Sequence, residues 1–246
     1  DECCARWREP DEGIWEVRGP PQHFTHSKLM AWLALDRALA MARREPGTPL
    51  DAARRARWTA ERDAIRREIL AHGWNADVGA FTQALGSREL DAATLVIPMI
   101  GFLPADDPRV LGTVDRVAER LVVHGFVERY DTRRTNDGLP PGEGAFGLTT
   151  CWLVDALALA GRVDEAHAYF ERLAGCANHL GLFAEQVDPQ TRAHLGNFPQ
   201  AFTHLGLVNS TLYLAAAERR ETAGPPPLGS TRRDAARAAD GAPPVR

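Results

Sequence analysis

The chain has 246 residues, of which 44% are hydrophobic and 25% are charged, as is typical of a globular protein with a sizeable core. Its formal net charge of −4 offers no general attraction to a polyanion, so no nucleic-acid partner is expected. No apolar run approaches the ~18 residues that span a bilayer, and no signal-peptide pattern is present, which predicts no membrane partner and a cytoplasmic location.

Cysteine and histidine spacing gives no sign of a metal or of a disulfide framework. The four cysteines follow neither pattern, so reduced thiols are expected: Cys3, Cys4, Cys151 and Cys176. His23 and His26 lie close together, but a zinc site needs further ligands at suitable spacing. We therefore predict no metal and no cofactor.

Hydrophobic residues recur mostly with the 3.6-residue period of helices, and period-2 patterns are nearly absent. Seven helices are predicted, at about 27–43, 51–72, 89–100, 108–123, 145–160, 163–177 and 201–217. The first, third, fifth and seventh are apolar around most of their circumference, whereas the other three carry only a narrow apolar stripe. This alternation indicates helices covered on several sides next to helices with a solvated face.

The alternation predicts an all-α toroid in which an inner ring of helices is covered by an outer ring. An α-solenoid is the main rival, since GRVDEAHAYFERLAG resembles a tetratricopeptide helix. The apolar helices, however, recur at a period of roughly 56–62 residues, against ~34 for that repeat. Residues 221–246 are rich in Pro, Gly, Ala and Arg without periodicity and are predicted to be a disordered tail.

The long connections all lead into the apolar helices, so we expect them to gather at one end of the toroid. They are rich in Gly and Pro and cover 10–25, 73–88, 124–144 and 178–200. The fingerprint GEGAFG in the third matches a dinucleotide-binding pattern, but TRRTNDGLPP before it is unsuited to the required buried strand. Two loop acids are better candidates, because Glu16 and Glu185 each follow apolar residues that can raise a carboxyl pKa toward that of a general acid.

Around these acids the chain resembles glycoside hydrolase family 15, the glucoamylase and bacterial trehalase-like family. The resemblance is carried by PDEGIWEVRGPPQHFTHSKLMAW, by ERYDTRRTNDGLPPGEGAFGLTTCWLVDALALAG and by GLFAEQVDPQTRAHLGNFPQAFTHLGLVNS. It implies an (α/α)6 barrel and inverting hydrolysis of an α-glucoside, with Glu16 as general acid and Glu185 as general base, ~6.5–9.5 Å apart. It further implies that Trp15 forms an apolar wall for the sugar and that three charged residues hold its hydroxyls: Arg18, Arg129 and Glu143.

Two departures from the family pattern refine these expectations. Some glucoamylases carry a second glutamate after the acid, where this chain has Val17, which favours trehalose as substrate over glucoamylase-type α-1,4-glucans. About seven of twelve barrel helices are present, so residues 1–220 are expected to be a partial catalytic domain, a fragment whose end helices expose apolar sides. The alternative is a non-catalytic carbohydrate-binding or helical scaffold protein; the oligomeric state is left open.

Overall fold

Eight α-helices lie within residues 1–44, 50–135 and 144–219, the parts of the chain that the computed structural model describes. A π-helical turn, Ile69–Gly73, extends the third helix, and a 3-10 turn, Ala92–Leu95, precedes the fourth. The predicted tail at 221–246 lies outside the described residues. The helices are α1 Glu2–Arg6, α2 Thr25–Arg44, α3 Ala52–Glu68, α4 Val96–Met99, α5 Pro108–Arg120, α6 Gly147–Leu159, α7 Val163–Ala174 and α8 Ala201–Glu218.

Within the same described ranges, seven strands of two residues each lie in the connections between helices. They are β1 Trp74–Asn75, β2 Ala80–Phe81, β3 Val122–Val123, β4 Phe126–Val127, β5 Ala145–Phe146, β6 Gln186–Val187 and β7 His194–Leu195. All pairings are antiparallel: β1 with β2, β3 with β4, and β6 between β5 and β7. The sequence prediction lacks these strands, because two residues are too few to produce a period-2 pattern.

The predicted alternation of buried and solvated helices is clearest in α6 and α3. Ten of the 13 residues of α6 are buried. In α3, by contrast, Ile65 is the buried residue among 17, and arginines and acids cover the remaining surface. A helix apolar all round is thus enclosed by its neighbours, and a helix with one apolar stripe packs by that stripe alone.

The long helix predicted at 89–100 is wrong. The segment holds only the 3-10 turn Ala92–Leu95 and the four residues of α4. Pro98 within α4 has no N–H for helix continuation, and Gly101 adopts a φ of 71°, which ends the helix. The apolar character of the segment is confirmed, since residues 90–100 are all buried. Burial, rather than helix length, is what its composition predicts.

The connections contact one another in chain order, which agrees with their predicted gathering at one end. An antiparallel bridge joins Phe24 of the first connection to Ala84 of the second. Another joins Asp91, at the end of the second, to Tyr130 in the third. The third supplies β5, which pairs with β6 of the fourth. Each loop is therefore hydrogen-bonded to the next.

Helices α6 and α8 pack closely and share a buried polar cluster. Asp155 of α6 accepts hydrogen bonds from Ser210 Oγ at 2.6 Å and from Asn209 Nδ2 at 2.8 Å, both on α8. Glycine permits the close approach: a Cβ on Gly206 would lie 2.9 Å from the sulfur of Cys151. Burial raises the pKa of Asp155 to about 7, against the opposing effect of its two hydrogen bonds.

Asp155→Asn is expected to flatten the pH dependence of stability. Because the folded-state pKa of Asp155 is raised, the folded protein binds its proton more tightly, and stability falls as pH rises from about 4 to about 7. The free energy of unfolding of the wild type should fall over this range by up to about 4 kcal/mol more than that of the variant. Urea titrations at several pH values measure this difference, and equal slopes would contradict it.

One face of α8 is apolar and exposed, although the sequence predicts a buried helix. Four large side chains on this face are more than half exposed: Phe202 (58%), Leu205 (66%), Val208 (62%) and Leu212 (56%). We call them the α8 stripe. Their spacing places them along one side of the helix over ~15 Å. None of the helices in the described ranges combines the length and hydropathy that crossing a bilayer requires.

Candidate active site

The loop that carries Glu16 is fixed at its base by Asp11. One oxygen of Asp11 accepts hydrogen bonds from the backbone N–H of Gly13 and from Ser27 Oγ of α2, each at 2.7 Å. The loop also folds back on itself through an antiparallel bridge between Asp11 and Gln22. Gly13 has a φ of 72° and lies against the ring of Phe24, where a Cβ would come within 2.9 Å of ring carbons. A side chain at position 13 would therefore displace the loop.

Trp15 lies in an aromatic cluster formed by the first and third connections and α6. Its ring centroid is 6.0–6.4 Å from those of Tyr130, Phe146 and Trp152. The Arg129 guanidinium carbon lies 5.5 Å from the Trp15 ring centroid and 5.4 Å from that of Tyr130. A guanidinium close to two aromatic ring centroids is attracted by both rings, which holds the Arg129 side chain beside Trp15.

The indole N–H of Trp15 donates to both carboxylate oxygens of Asp91, at 3.0 Å each. Asp91 is buried and also accepts from the side-chain amide of Gln83 at 3.1 Å and from the backbone N–H of Ala93 at 2.8 Å. Burial raises the pKa of Asp91 to about 6, although these hydrogen bonds and the charge of Arg129 act in the opposite direction. Asp91 was not among the residues singled out by sequence.

Glu16 follows Trp15 directly and is exposed. Its φ of 51° lies in the left-handed region that L-residues rarely adopt, and its backbone N–H donates to the carbonyl of Gly13 at 3.3 Å. Ile14, one of the apolar residues that precede Glu16 in the sequence, is 40% exposed. The described residues thus hold the backbone of Glu16 in a strained turn without sheltering its carboxylate.

Glu185 lies at the entrance to β6 and is half-buried. Its Oε2 accepts hydrogen bonds from the backbone N–H of Asn197 at 3.0 Å and from the Asn197 side-chain amide at 2.8 Å. The backbone of Glu185 is held too, since its N–H donates to the Asn197 carbonyl and its carbonyl accepts from Gly147 at 3.0 Å. Asn197, which sequence reasoning missed, therefore fixes one oxygen of this carboxylate and leaves the other for a further partner.

Both acidic loops meet at the start of α6. The ring of Phe146, the residue before α6, contacts Trp15 at 6.1 Å and pairs in register with Gln186, the neighbour of Glu185. Trp15 and Glu185 thus both lie next to β5, although they are far apart in sequence. The separation of the Glu16 and Glu185 carboxyl groups stays a prediction.

The remaining predicted site residues differ in how the structure places them. Arg129 is half-buried against Trp15, whereas Arg18 is exposed; their roles as sugar contacts stay predictions. Glu143 lies outside the described residues. Among residues 1–44, 50–135 and 144–219, no group of three or more His, Cys, Asp or Glu side chains is arranged to hold a metal ion.

Gly196→Ala is expected to displace the Glu185 carboxylate and, in the general-base role that the family resemblance implies for Glu185, to lower kcat. Gly196 has a φ of 71°, and a Cβ there would lie 2.8 Å from Glu185 Oε2, so the carboxylate must move. A shift of this size in a reacting group costs roughly 10- to 100-fold in kcat. The matched control is Gly181→Ala, which has a φ of 75° but nothing within 4 Å, and so adds the backbone strain without the collision. Equal kcat losses in the two variants would contradict the prediction.

Known proteins similar to this chain agree with this architecture. The model of the family "Glycosyl hydrolases family 15" matches residues 3–212. A trehalase of Mycobacterium tuberculosis is 46% identical over 218 residues, which is 89% of this chain and 31% of that protein. A trehalase of Thermoplasma volcanium is 39% identical over 217 residues, 88% of this chain and 34% of that protein. The chain therefore spans about a third of the length of these curated relatives.

Solved structures support the fold independently. A wild-type glycosidase superposes with a TM-score of 0.71 at 24% identity, covering 86% of this chain and 57% of its own. A bacterial glucoamylase complexed with acarbose superposes with a TM-score of 0.65 at 16% identity. The match covers 83% of this chain and 34% of the glucoamylase chain. The predicted (α/α)6 toroid, incomplete in this chain, is confirmed, and the solenoid alternative is wrong. The chain belongs to glycosyl hydrolases family 15.

Proposed function

We propose that this chain is the part of an inverting, exo-acting α-glucosidase that carries both catalytic carboxylates, with trehalose as the favoured substrate and α-1,4-glucans next. The observation that carries the proposal is the meeting of two acidic loops at the start of α6, each with its backbone held by named hydrogen bonds. The choice of trehalose is supported by relatives named trehalase at 39–46% identity and by Val17, where some glucoamylases carry a second glutamate.

In this mechanism Glu16 is the general acid and Glu185 the general base. Glu16 donates its proton to the glycosidic oxygen as the bond to the anomeric carbon breaks. Glu185 takes a proton from a water molecule, which attacks the same carbon from the opposite face and inverts it, releasing β-glucose from an α-glucoside. Because Asn197 occupies Oε2 of Glu185, the proton passes to Oε1.

The aromatic cluster supplies the sugar site. The Trp15 ring offers an apolar face to the carbon skeleton of a glucose unit, and the Arg129 guanidinium above it donates to hydroxyl groups. Such a pairing of an aromatic face with a fixed donor is how pockets orient small polar ligands. Exposed Arg18 and Glu143, which lies outside the described residues, remain proposed contacts to sugar hydroxyls.

We further propose that the α8 stripe is covered by toroid helices that this chain does not contain. Four exposed large apolar side chains on one helix face form a patch unusual for a stable monomer. The chain spans about a third of the curated relatives it matches, and those relatives therefore hold ample sequence to cover it. The segment after α8 is a poor cover, since Leu228 and Val245 are the large apolar residues in GPPPLGSTRRDAARAADGAPPVR.

Trehalose and maltose hydrolysis, followed by proton NMR of the anomer first released, tests the function. The assay compares the chain alone with the chain joined to the part of the M. tuberculosis trehalase that it does not cover. Initial release of β- and α-glucose in equal amounts from trehalose by the joined protein supports the proposal, because the attacked unit is inverted and the departing unit keeps its α configuration; release of α-glucose alone contradicts the inverting mechanism. Saccharide binding without turnover by the joined protein would favour the carbohydrate-binding alternative.

A further inference from the structure

We propose that Asp91 is a positioning residue of this site: it holds the Trp15 indole, and through it the backbone that presents Glu16. Its effect on catalysis rests on the proposed function, whereas its hold on Trp15 does not. The inference starts from an arrangement that helix capping alone does not require. A cap needs one oxygen, and Asp91 Oδ1 already accepts from the backbone N–H of Ala93 at the start of the 3-10 turn.

The second oxygen of Asp91 binds side chains of the candidate site rather than the helix backbone. Oδ2 accepts from Gln83, and the Trp15 indole N–H is shared between the two oxygens at 3.0 Å each. Every one of these partners is a donor, so the cluster requires a group that accepts at both atoms. A carboxylate meets this requirement, whereas the amide of an asparagine would turn an N–H toward one of the donors. The cluster therefore selects the charged side chain despite its complete burial.

Glu16 depends on its two neighbours for its position. Its own backbone N–H makes a long hydrogen bond of 3.3 Å, and its side chain is exposed. Val17 on one side is buried, 3% exposed, and its N–H donates to the carbonyl of Glu12 at 3.0 Å. Trp15 on the other side is held by Asp91 and by its ring contacts. A change at Asp91 thus reaches Glu16 through a single peptide unit.

The hydrogen bonds between Asp91 and the Trp15 indole depend on pH, because Asp91 accepts at both oxygens only when it is deprotonated. Burial raises the pKa of Asp91 to about 6, and the charged side chain that acts on it is that of Arg129. A proton on either oxygen would face a donor: Trp15 or Ala93 at Oδ1, Trp15 or Gln83 at Oδ2. The grip on the Trp15 indole is therefore expected to weaken as pH falls through about 6.

NMR of the indole N–H groups tests the contact without any turnover. In the ¹⁵N-labelled wild-type chain the Trp15 indole signal, assigned with Trp15→Phe, should titrate with a midpoint near 6. Asp91→Asn should remove this titration and speed exchange of that proton with solvent. The indole of Trp7, which donates to Glu61 instead, is the internal control and should be unaffected by the variant. Exchange of the Trp15 indole proton in the wild type as fast as in the unfolded chain would overturn the proposal, whether or not the variant folds.

Kinetics of the joined protein test the link to Glu16. Asp91→Asn should lower kcat for trehalose roughly 10- to 100-fold with a smaller change in KM, because a misplaced acid affects the transition state more than binding. Trp15→Phe should lower kcat too, and the double variant should be no worse than the poorer single variant. An unchanged kcat, or fully additive losses, would overturn the positioning role. Absence of trehalose hydrolysis in the wild type would count against the proposed function alone, since the NMR titration needs no turnover.

Discussion

Glu16→Gln is expected to lower kcat for trehalose by roughly 10²- to 10⁴-fold, the usual contribution of a general acid. An amide of the same shape cannot donate the proton that the departing glycosidic oxygen needs. Glu16 is exposed, and its backbone is set by Trp15 and Val17, so the substitution is expected to leave the fold unchanged. Initial rates of glucose release by the joined protein measure the loss.

A substrate with a better leaving group distinguishes the loss of a proton donor from general damage to the site. With α-glucosyl fluoride, whose fluoride departs without full protonation, Glu16→Gln should recover most of the wild-type rate. Glu12→Gln, an exposed acid in the same loop, is the matched control and should retain the wild-type rate on both substrates. Wild-type turnover of trehalose by Glu16→Gln would show that another group is the acid.

Glu185→Gln is expected to lower kcat by a similar factor, roughly 10²- to 10⁴-fold, on both substrates. The amide cannot take a proton from the attacking water, and this need is the same whether the leaving group is glucose or fluoride. Asn197 donates two hydrogen bonds to Oε2, so the side-chain amide of glutamine can keep them only by placing its oxygen there. The amide N–H₂ would then face the water.

The contrast between substrates assigns the two roles. Recovery with α-glucosyl fluoride in Glu185→Gln, and none in Glu16→Gln, would reverse the assignment of acid and base. Glu171→Gln, which removes an exposed acid from the solvated helix α7, controls for the loss of one negative charge and should keep the wild-type rate. Circular dichroism of all variants checks that the helical content is retained.

The helical part of the fold is readable from sequence because the helices are long enough to show their period. The pattern predicts α6 at about 145–160 and α8 at about 201–217, and the structure places them at Gly147–Leu159 and Ala201–Glu218. Enclosure of α6 also follows from composition, since a helix apolar all round must be covered. The exposed stripe of α8 does not, because whether an apolar helix face is covered depends on tertiary contacts that the composition of the helix does not specify.

The connections were predictable in location but not in structure. Their β-bridges join residues such as Phe24 and Ala84, whose pairing depends on how two inner helices are placed. Two-residue strands are set by that tertiary contact rather than by local propensity. The same limit applies to Pro98 and Gly101, which shorten a segment that hydrophobicity alone presents as one long helix.

The residues of the candidate site also fall into those that the sequence indicates and those that only the folded structure reveals. Glu16 and Glu185 are marked by short motifs, so the sequence alone singles them out. Asp91 and Asn197 carry no comparable mark, because each acts through one partner distant in sequence. An Asp before an apolar run does indicate a helix cap, and that signal could have drawn attention to Asp91. Its second oxygen, which reaches Trp15, is a property of the folded chain.

The left-handed backbone at Glu16 bears on which residue that position should hold. At a φ of 51° the chain favours glycine or asparagine, and a longer side chain costs about 1–2 kcal/mol. The exposed side chain recovers none of this cost through burial. Folding stability therefore favours glycine at position 16, whereas the proposed role as general acid favours glutamate. Among related chains, glycine at this position is expected where the fold is kept and hydrolysis is lost.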